Sequence, residues 1–304
     1  MRTMKKMLPA AILFALAPAW CFGVDSRPTF TYSYNVKPSI VHQENGDGYT
    51  GGLAFDGSVL YDAANSSDTL ANPKGGFARF KAEWLLTGDG DHNSKPLRAE
   101  LVAGASLHWQ RPKRTELGPN PGDEIVTQEG FERGRWNAGL NVGYETDQAL
   151  DNRNVTAGGE LGYVLTVNEG WRALIPSLYA QYEWVSVQRS EIQRAANIDD
   201  TGYPRYRVSA SWKMPVGDLL PPALKPLQLH LDVRYYKDFQ RPEAIERSGM
   251  DESRYVAGAL SYNFRSPVPL GTVSGVFVKV SRGRIPPVVQ KATDVYIGFV
   301  LWEK

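Results

Sequence analysis

Cysteine is almost missing. The 304 residues contain one, Cys21. From residue 24 onward the chain has neither a disulfide nor a thiol, which excludes cross-linking, thiolate catalysis and thiolate metal sites. Whatever fold it adopts must hold by packing and hydrogen bonds. A dominant charge is missing too, since 34 lysines and arginines stand against 33 aspartates and glutamates. That balance removes the gross electrostatic argument for a nucleic-acid partner. Past residue 23 no apolar run approaches the ~20 residues of a membrane helix, so helical spans are excluded. Histidine is scarce, with four residues at 42, 92, 108 and 230. No two stand at helical spacing or beside a cysteine, so neither a zinc site nor another metal or cofactor is expected.

The first segment, MRTMKKMLPAAILFALAPAWCFG, differs from the rest. Arg2, Lys5 and Lys6 make a basic start, and Leu8 to Trp20 is apolar apart from prolines. Cys21 and Gly23 are the small residues expected before a cleavage at Val24. Residues 1–23 therefore read as a secretory signal peptide, too short to span a bilayer. The mature part, 24–304, shows no linker and no shift in composition, so one domain is expected.

What that domain does have is alternation. In LQLHLDVRYY, residues 227–236, Leu227, Leu229, Leu231, Val233 and Tyr235 form one series and Gln228, His230, Asp232, Arg234 and Tyr236 the other. Period two means a strand with one apolar and one polar face. The pattern recurs and predicts twelve strands, near 28–41, 50–62, 75–88, 97–111, 133–147, 153–168, 175–189, 203–216, 226–239, 253–264, 273–284 and 292–304. Most exceed the ~9–11 residues that cross a bilayer obliquely, whereas soluble strands cluster near ~5–6. A soluble barrel of twelve strands would have to fill its lumen with the apolar series, whose many alanines and glycines are too small for so wide a space. The expected fold is a single all-β, transmembrane, antiparallel up-and-down barrel, with the polar series inside and the apolar series against lipid. Tyr61, Trp84, Trp109, Trp136, Tyr144 and Trp184 sit near strand ends, where an interfacial girdle would place them.

In these features the mature chain resembles bacterial outer-membrane β-barrels as a class, on its signal peptide, its alternating strands and its last strand TDVYIGFVLWEK. The resemblance implies a Gram-negative cell envelope, outer-membrane lipid and lipopolysaccharide as surroundings, and insertion by the barrel-assembly machinery. Such barrels commonly end in an aromatic residue; here Trp302 is followed by Glu303 and Lys304. Short links such as RSPVPLG and VGDLLPPALKP are expected at one end, and the long polar ones, QRSEIQRAANIDDTGY and KDFQRPEAIERSGMDE, at the other. Segment 111–133 breaks that sorting: either a strand boundary differs or the barrel carries a periplasmic projection.

The inward series carries charge of both signs. Its basic members are Lys37, Arg79, Lys81, Arg98, Arg135, Arg205, Arg207, Lys213, Arg234 and Lys279. Its acidic members are Asp56, Asp62, Glu83, Glu100, Glu145, Glu160, Glu183, Asp232 and Asp238. A surplus of one positive charge predicts weak ion selectivity. The residues expected to line a pore are Arg79, Lys81, Glu83, Arg205, Arg207, Lys213, His230, Asp232 and Arg234. Among them, Arg205, Arg207, Lys213, His230 and Arg234 form a candidate basic wall for an anionic group. The alternative is pairing across the lumen that stiffens or plugs it.

Other constellations are weaker. His230, Asp232 and Ser209 or Ser211 can be drawn as a nucleophile triad, but serine and aspartate abound in any barrel lumen. Asp89, Asp91, Asn93 and Glu100 match positions of a calcium loop, with Ser94 in place of the turn glycine and strands in place of helices. Lys237 and Arg282 break the apolar series near strand ends and can meet lipid phosphates or snorkel. The function expected is a passive, porin-like pathway for small polar solutes, with no catalytic residues. The alternatives are a lipid-modifying enzyme using His230 or His108 as base, and a structural barrel serving as an interaction scaffold.

Overall fold

The structure is a computed structural model, and it describes residues 29–43, 48–62, 74–88, 96–111, 114–117, 124–128, 131–165, 174–195, 197–198, 202–219, 221–264, 275–287 and 292–300. The leader at 1–23, the loop residues Asp89, Asp91 and Asn93, and Trp302 to Lys304 lie outside the described residues. Among the described residues fourteen strands follow one another: β1 (Thr29–Gln43), β2 (Tyr49–Asp62), β3 (Lys74–Thr87), β4 (Leu97–Arg111), β5 (Arg114–Leu117), β6 (Glu124–Gln128), β7 (Phe131–Thr146), β8 (Arg153–Leu165), β9 (Ser177–Arg189), β10 (Tyr203–Met214), β11 (Leu227–Asp238), β12 (Glu252–Asn263), β13 (Gly275–Gly283) and β14 (Ala292–Val300). Twelve of them pair with their sequence neighbours in an antiparallel meander, and β1 closes the ring by pairing with both β2 and β14. Closure leaves no free edge for another chain to extend.

The remaining two, β5 and β6, form a separate hairpin between β4 and β7. Segment 111–133 thus holds an added two-stranded ribbon, and the barrel count of twelve is unchanged.

Alternation decides which way each side chain points. On β7, Asn137, Asn141 and Glu145 are buried, while Trp136, Leu140 and Tyr144 between them are 47%, 61% and 38% exposed. On β9, Gln181 and Glu183 are buried and Tyr182 and Trp184 exposed. The polar series faces the lumen and the apolar series faces out. An apolar outer surface that continues around a barrel far exceeds the patches soluble monomers tolerate. It suits hydrocarbon, where every backbone group of a closed barrel is already satisfied.

Aromatic residues gather toward both rims. Phe30 packs on Tyr61 and Trp136 on Tyr163 toward one end, and Trp84 stacks on Phe55 at 4.0 Å toward the other. The proximal end is defined here as the one where β1 begins and β14 stops. Its links are 63–73, 112–130, 166–176, 215–226 and 264–274; the distal links are 44–48, 88–96, 147–152, 190–202, 239–251 and 284–291. The lengths overlap, so the expected sorting of short links to one end and long ones to the other is not found.

The described parts of three distal links carry buried residues. The β9–β10 link carries helix α1 (Glu191–Ala195) and the β11–β12 link carries α2 (Glu243–Arg247). Gln193, Ile245 and Ile285 are buried beneath this cover. Arg284 stitches it together, donating to the Ser253 hydroxyl at 3.0 Å and to the carbonyls of Glu252 and Gly249 at 2.6 and 3.0 Å. The chain reaches that position through Gly283, whose φ of 119° is open to glycine and strained for other residues.

Candidate functional site

Charged side chains meeting across the lumen build the site. On the distal side of mid-barrel, Arg205 of β10 is fully buried, with Nη1 2.6 Å from Glu145 and 3.5 Å from Glu183, and Nε 2.9 Å from Asp238. Its Nη2 donates to the Tyr203 hydroxyl at 2.8 Å. Arg98 of β4, the register partner of Glu145 on the neighbouring β7, comes within 3.9 Å of both Glu145 and Glu183. Asn141 adds a donor to Glu183 at 3.3 Å. Two guanidiniums among several carboxylates make a dry layer, here called the septum. Charges this buried persist only because each has partners.

A belt of further bridges lies on the proximal side of the septum. Arg207 reaches Glu100 at 3.2 Å, and Gln181 donates to Glu100 at 2.7 Å and to Glu160 at 2.5 Å. Arg79 holds Glu160 at 2.7 Å. Arg234 holds Glu83 with two donors, at 2.5 and 3.0 Å, and Asp232 at 2.7 Å.

The belt floors a cavity of about 600 Å³ that occupies the proximal half of the barrel. Of the residues expected to line a pore, Arg79, Lys81, Glu83, Arg207, Lys213, His230, Asp232 and Arg234 border this cavity. Arg205 does not; it is inside the septum, consumed by three carboxylates. The basic wall anticipated along β10 and β11 is therefore divided, since Arg207 and Arg234 are also committed to carboxylates. Lys37, Asp56, Ser58 and Lys279 border the cavity as well. Beyond the septum a second pocket, about 40 Å³, is lined by Arg189, Arg241, Arg284, Asp238, Asn152 and Asn154 among others. Burial lowers the Arg284 guanidinium from its ordinary value, an effect that Asp238 and Asp251 oppose.

The strand register places the groups of the triad drawn on His230. Lys213 stands opposite His230 in register, Ser211 opposite Asp232, and Ser209 opposite Arg234, while the Asp232 carboxylate holds Arg234. His108 is closer to such an arrangement, with Nε2 3.2 Å from Ser106 Oγ and 3.3 Å from Asp62 Oδ2. Both contacts use one nitrogen, whereas a relay needs the acid on one ring nitrogen and the hydroxyl on the other. The calcium-loop match fails at Glu100, which points into the lumen and binds Arg207. Lys237 meets Asp251 at 2.5 Å and Glu252 at 3.1 Å at the distal rim. Among the described residues no cluster of histidine, cysteine, aspartate and glutamate could hold a metal ion.

Alternation could reach every strand residue in these layers, including Asn141 and Gln181, which charge-based reading passed over. It could not reach Arg241 and Arg284, because they lie in links with no period.

No family model matches the chain, and no curated protein matches it. Among solved structures it is similar to OpdQ of Pseudomonas aeruginosa, at 9% identity and a TM-score of 0.35, covering 90% of this chain and 98% of that one. OccK2 (OpdF) of Pseudomonas aeruginosa, in complex with glucuronate, gives 12% identity and a TM-score of 0.33 over 90% and 98%. OmpF of Salmonella typhi, in complex with daunomycin, gives 8% and 0.33 over 90% and 97%. At such identities the lumen has to be read from this chain's own residues.

Proposed function

We propose that this chain is an outer-membrane barrel that forms a passive, porin-like pathway for small polar solutes. The observation that carries the reading is the inversion of polarity: an apolar outer wall around a lumen of charged groups and a 600 Å³ polar cavity. A lumen built this way keeps water and ions in low-dielectric surroundings where fixed charges govern them. Transit requires the side chains of the septum and belt to exchange partners, so the pathway is narrow and admits solutes no larger than its polar gaps. On this reading residues 1–23 are removed on export, lipopolysaccharide and outer-membrane lipid surround the wall, and the assembly machinery inserts it. Engagement of the Asp232 carboxylate by Arg234 favours a pathway over an enzyme.

Single-channel recording in planar bilayers tests the proposal. The purified barrel should give discrete conductance steps of small size. A barrel that inserts, as judged by a shifted gel mobility, yet stays silent under every applied voltage would leave only the structural reading.

A further inference from the structure

The near-neutral total of the lumen hides how its charges are placed. Of the residues bordering the proximal cavity, leaving out Arg98, which is held by the septum acids, seven are lysine or arginine and five are aspartate or glutamate. The arginines there are spent on carboxylates: Arg234 on Glu83 and Asp232, Arg207 on Glu100, Arg79 on Glu160. Lys81 and Lys279 come in addition. Lys279 makes no ion pair among the described residues and sits 5.4 Å from the centroid of the Tyr296 ring. Lys81 approaches Glu83 only to 3.8 Å. Past the septum the surplus has the same sign, since Arg241 and Arg284 border the second pocket with one carboxylate, Asp238, while Arg189 is held by Asp151 at 2.8 Å. Arg241 lies on the Tyr203 ring at 3.9 Å, is 3.7 Å from Asp238, and leaves Nε and Nη1 without hydrogen-bond partners. Of the remaining lumen acids, Glu145 and Glu183 are held inside the septum, Asp62 is held by Arg135 at 3.2 Å, and Asp294 accepts from the hydroxyls of Tyr296 and Ser281.

We propose that the lumen selects small anionic solutes bearing carboxylate or phosphate groups, with Lys81 and Lys279 as their principal contacts in the proximal cavity. This deepens the pathway reading above and rests on it. Cations in excess on low-dielectric walls concentrate anions and exclude cations of solution, and the cavity volume falls within the ~300–1,000 Å³ of ordinary ligand pockets. Ammonium groups suit the role because they bind as mobile point charges and release readily, whereas the arginine forks are fixed on their carboxylates. The septum, balanced internally, adds a barrier without reversing the sign.

Two measurements on the full mature barrel separate this proposal from the pathway itself. Reversal potentials in a potassium chloride gradient should show chloride preferred. Calorimetric titration with citrate in detergent micelles should show binding, weakened roughly tenfold or more, about 1.4 kcal/mol, in a Lys81→Met/Lys279→Met variant. Lys81→Glu/Lys279→Glu should turn the preference toward potassium, and the methionine pair serves if the glutamates block folding. A conducting barrel that prefers potassium or neither ion, and ignores citrate, overturns the anion proposal and leaves the pathway standing. A silent barrel that binds citrate, and loses it in the variant, overturns the pathway and keeps the site. Selectivity and citrate binding that are both unchanged in the variants remove Lys81 and Lys279 from it.

Discussion

Arg234 on β11 and Glu83 on β3 meet in the middle of the barrel, joined by two hydrogen bonds of 2.5 and 3.0 Å, although five strands separate them on either side of the ring. The pair is a strut across a full diameter. A bidentate fork of this kind fixes distance and angle together, so the two walls cannot move apart without breaking it.

Removing one end of the strut leaves a buried charge without its partner. Breaking a buried pair costs ~3–5 kcal/mol, and water in the adjoining cavity puts Glu83→Ala and Arg234→Ala at the lower end, about 3 kcal/mol. The double variant Glu83→Leu/Arg234→Met should recover part of that loss, since neither charge of the strut then remains, while Asp232 still lacks its Arg234 partner. The readout is the temperature at which the folded band converts to the unfolded band on a gel. Losses in the two single variants that simply add in the double variant would mean that the contact is not coupled.

The outward face can be tested at Leu140, near the middle of β7 and 61% exposed. An arginine on a lipid-facing strand at the bilayer midplane costs ~2–4 kcal/mol, falling to ~0–1 near the interface. Leu140→Arg should therefore cut the yield of assembled barrel sharply, while Gln188→Arg, close to the distal rim, should not. Equal yields would place the apolar face in contact with something other than lipid.

Catalysis is expected to be absent. Purified barrel in micelles should release no fatty acid from phospholipid or lipid A, because His108 offers one nitrogen to both Ser106 and Asp62. Hydrolysis that vanishes in His108→Ala or His230→Ala would reverse this expectation and make the lumen an active site.

Cell fractionation checks location. The mature chain should sediment with outer membranes and migrate faster unheated than boiled, since a closed barrel resists detergent. Recovery from the soluble periplasm would overturn the membrane reading together with the function built on it.

Much of the architecture follows from period two alone. Tyr144, Val142 and Leu140 against Glu145, Gly143 and Asn141 announce a strand, its length and its two faces, and the twelve barrel strands lie within a few residues of where alternation puts them. The information is local, since neighbouring side chains on a strand point to opposite sides whatever else the chain does. The hairpin of β5 and β6 was less legible, because its strands have four and five residues, too few for a periodic signal.

The sequence by itself determined a closed wall with charge inside and apolar groups outside. Only the tertiary structure decided which charges meet. Glu83 and Arg234 are 151 positions apart, and no period links them; ring closure and register bring them together. The same holds for Arg205, whose place on a strand predicts an inward guanidinium but not the three carboxylates that take it out of the cavity. A count of inward charges treats the lumen as one compartment. Folding divides it, burying Glu145 and Glu183 with Arg205 and Arg98 in the septum and placing the lysines at the cavity, because an ion pair is stable in a buried layer while an ammonium keeps its hydration only where water remains.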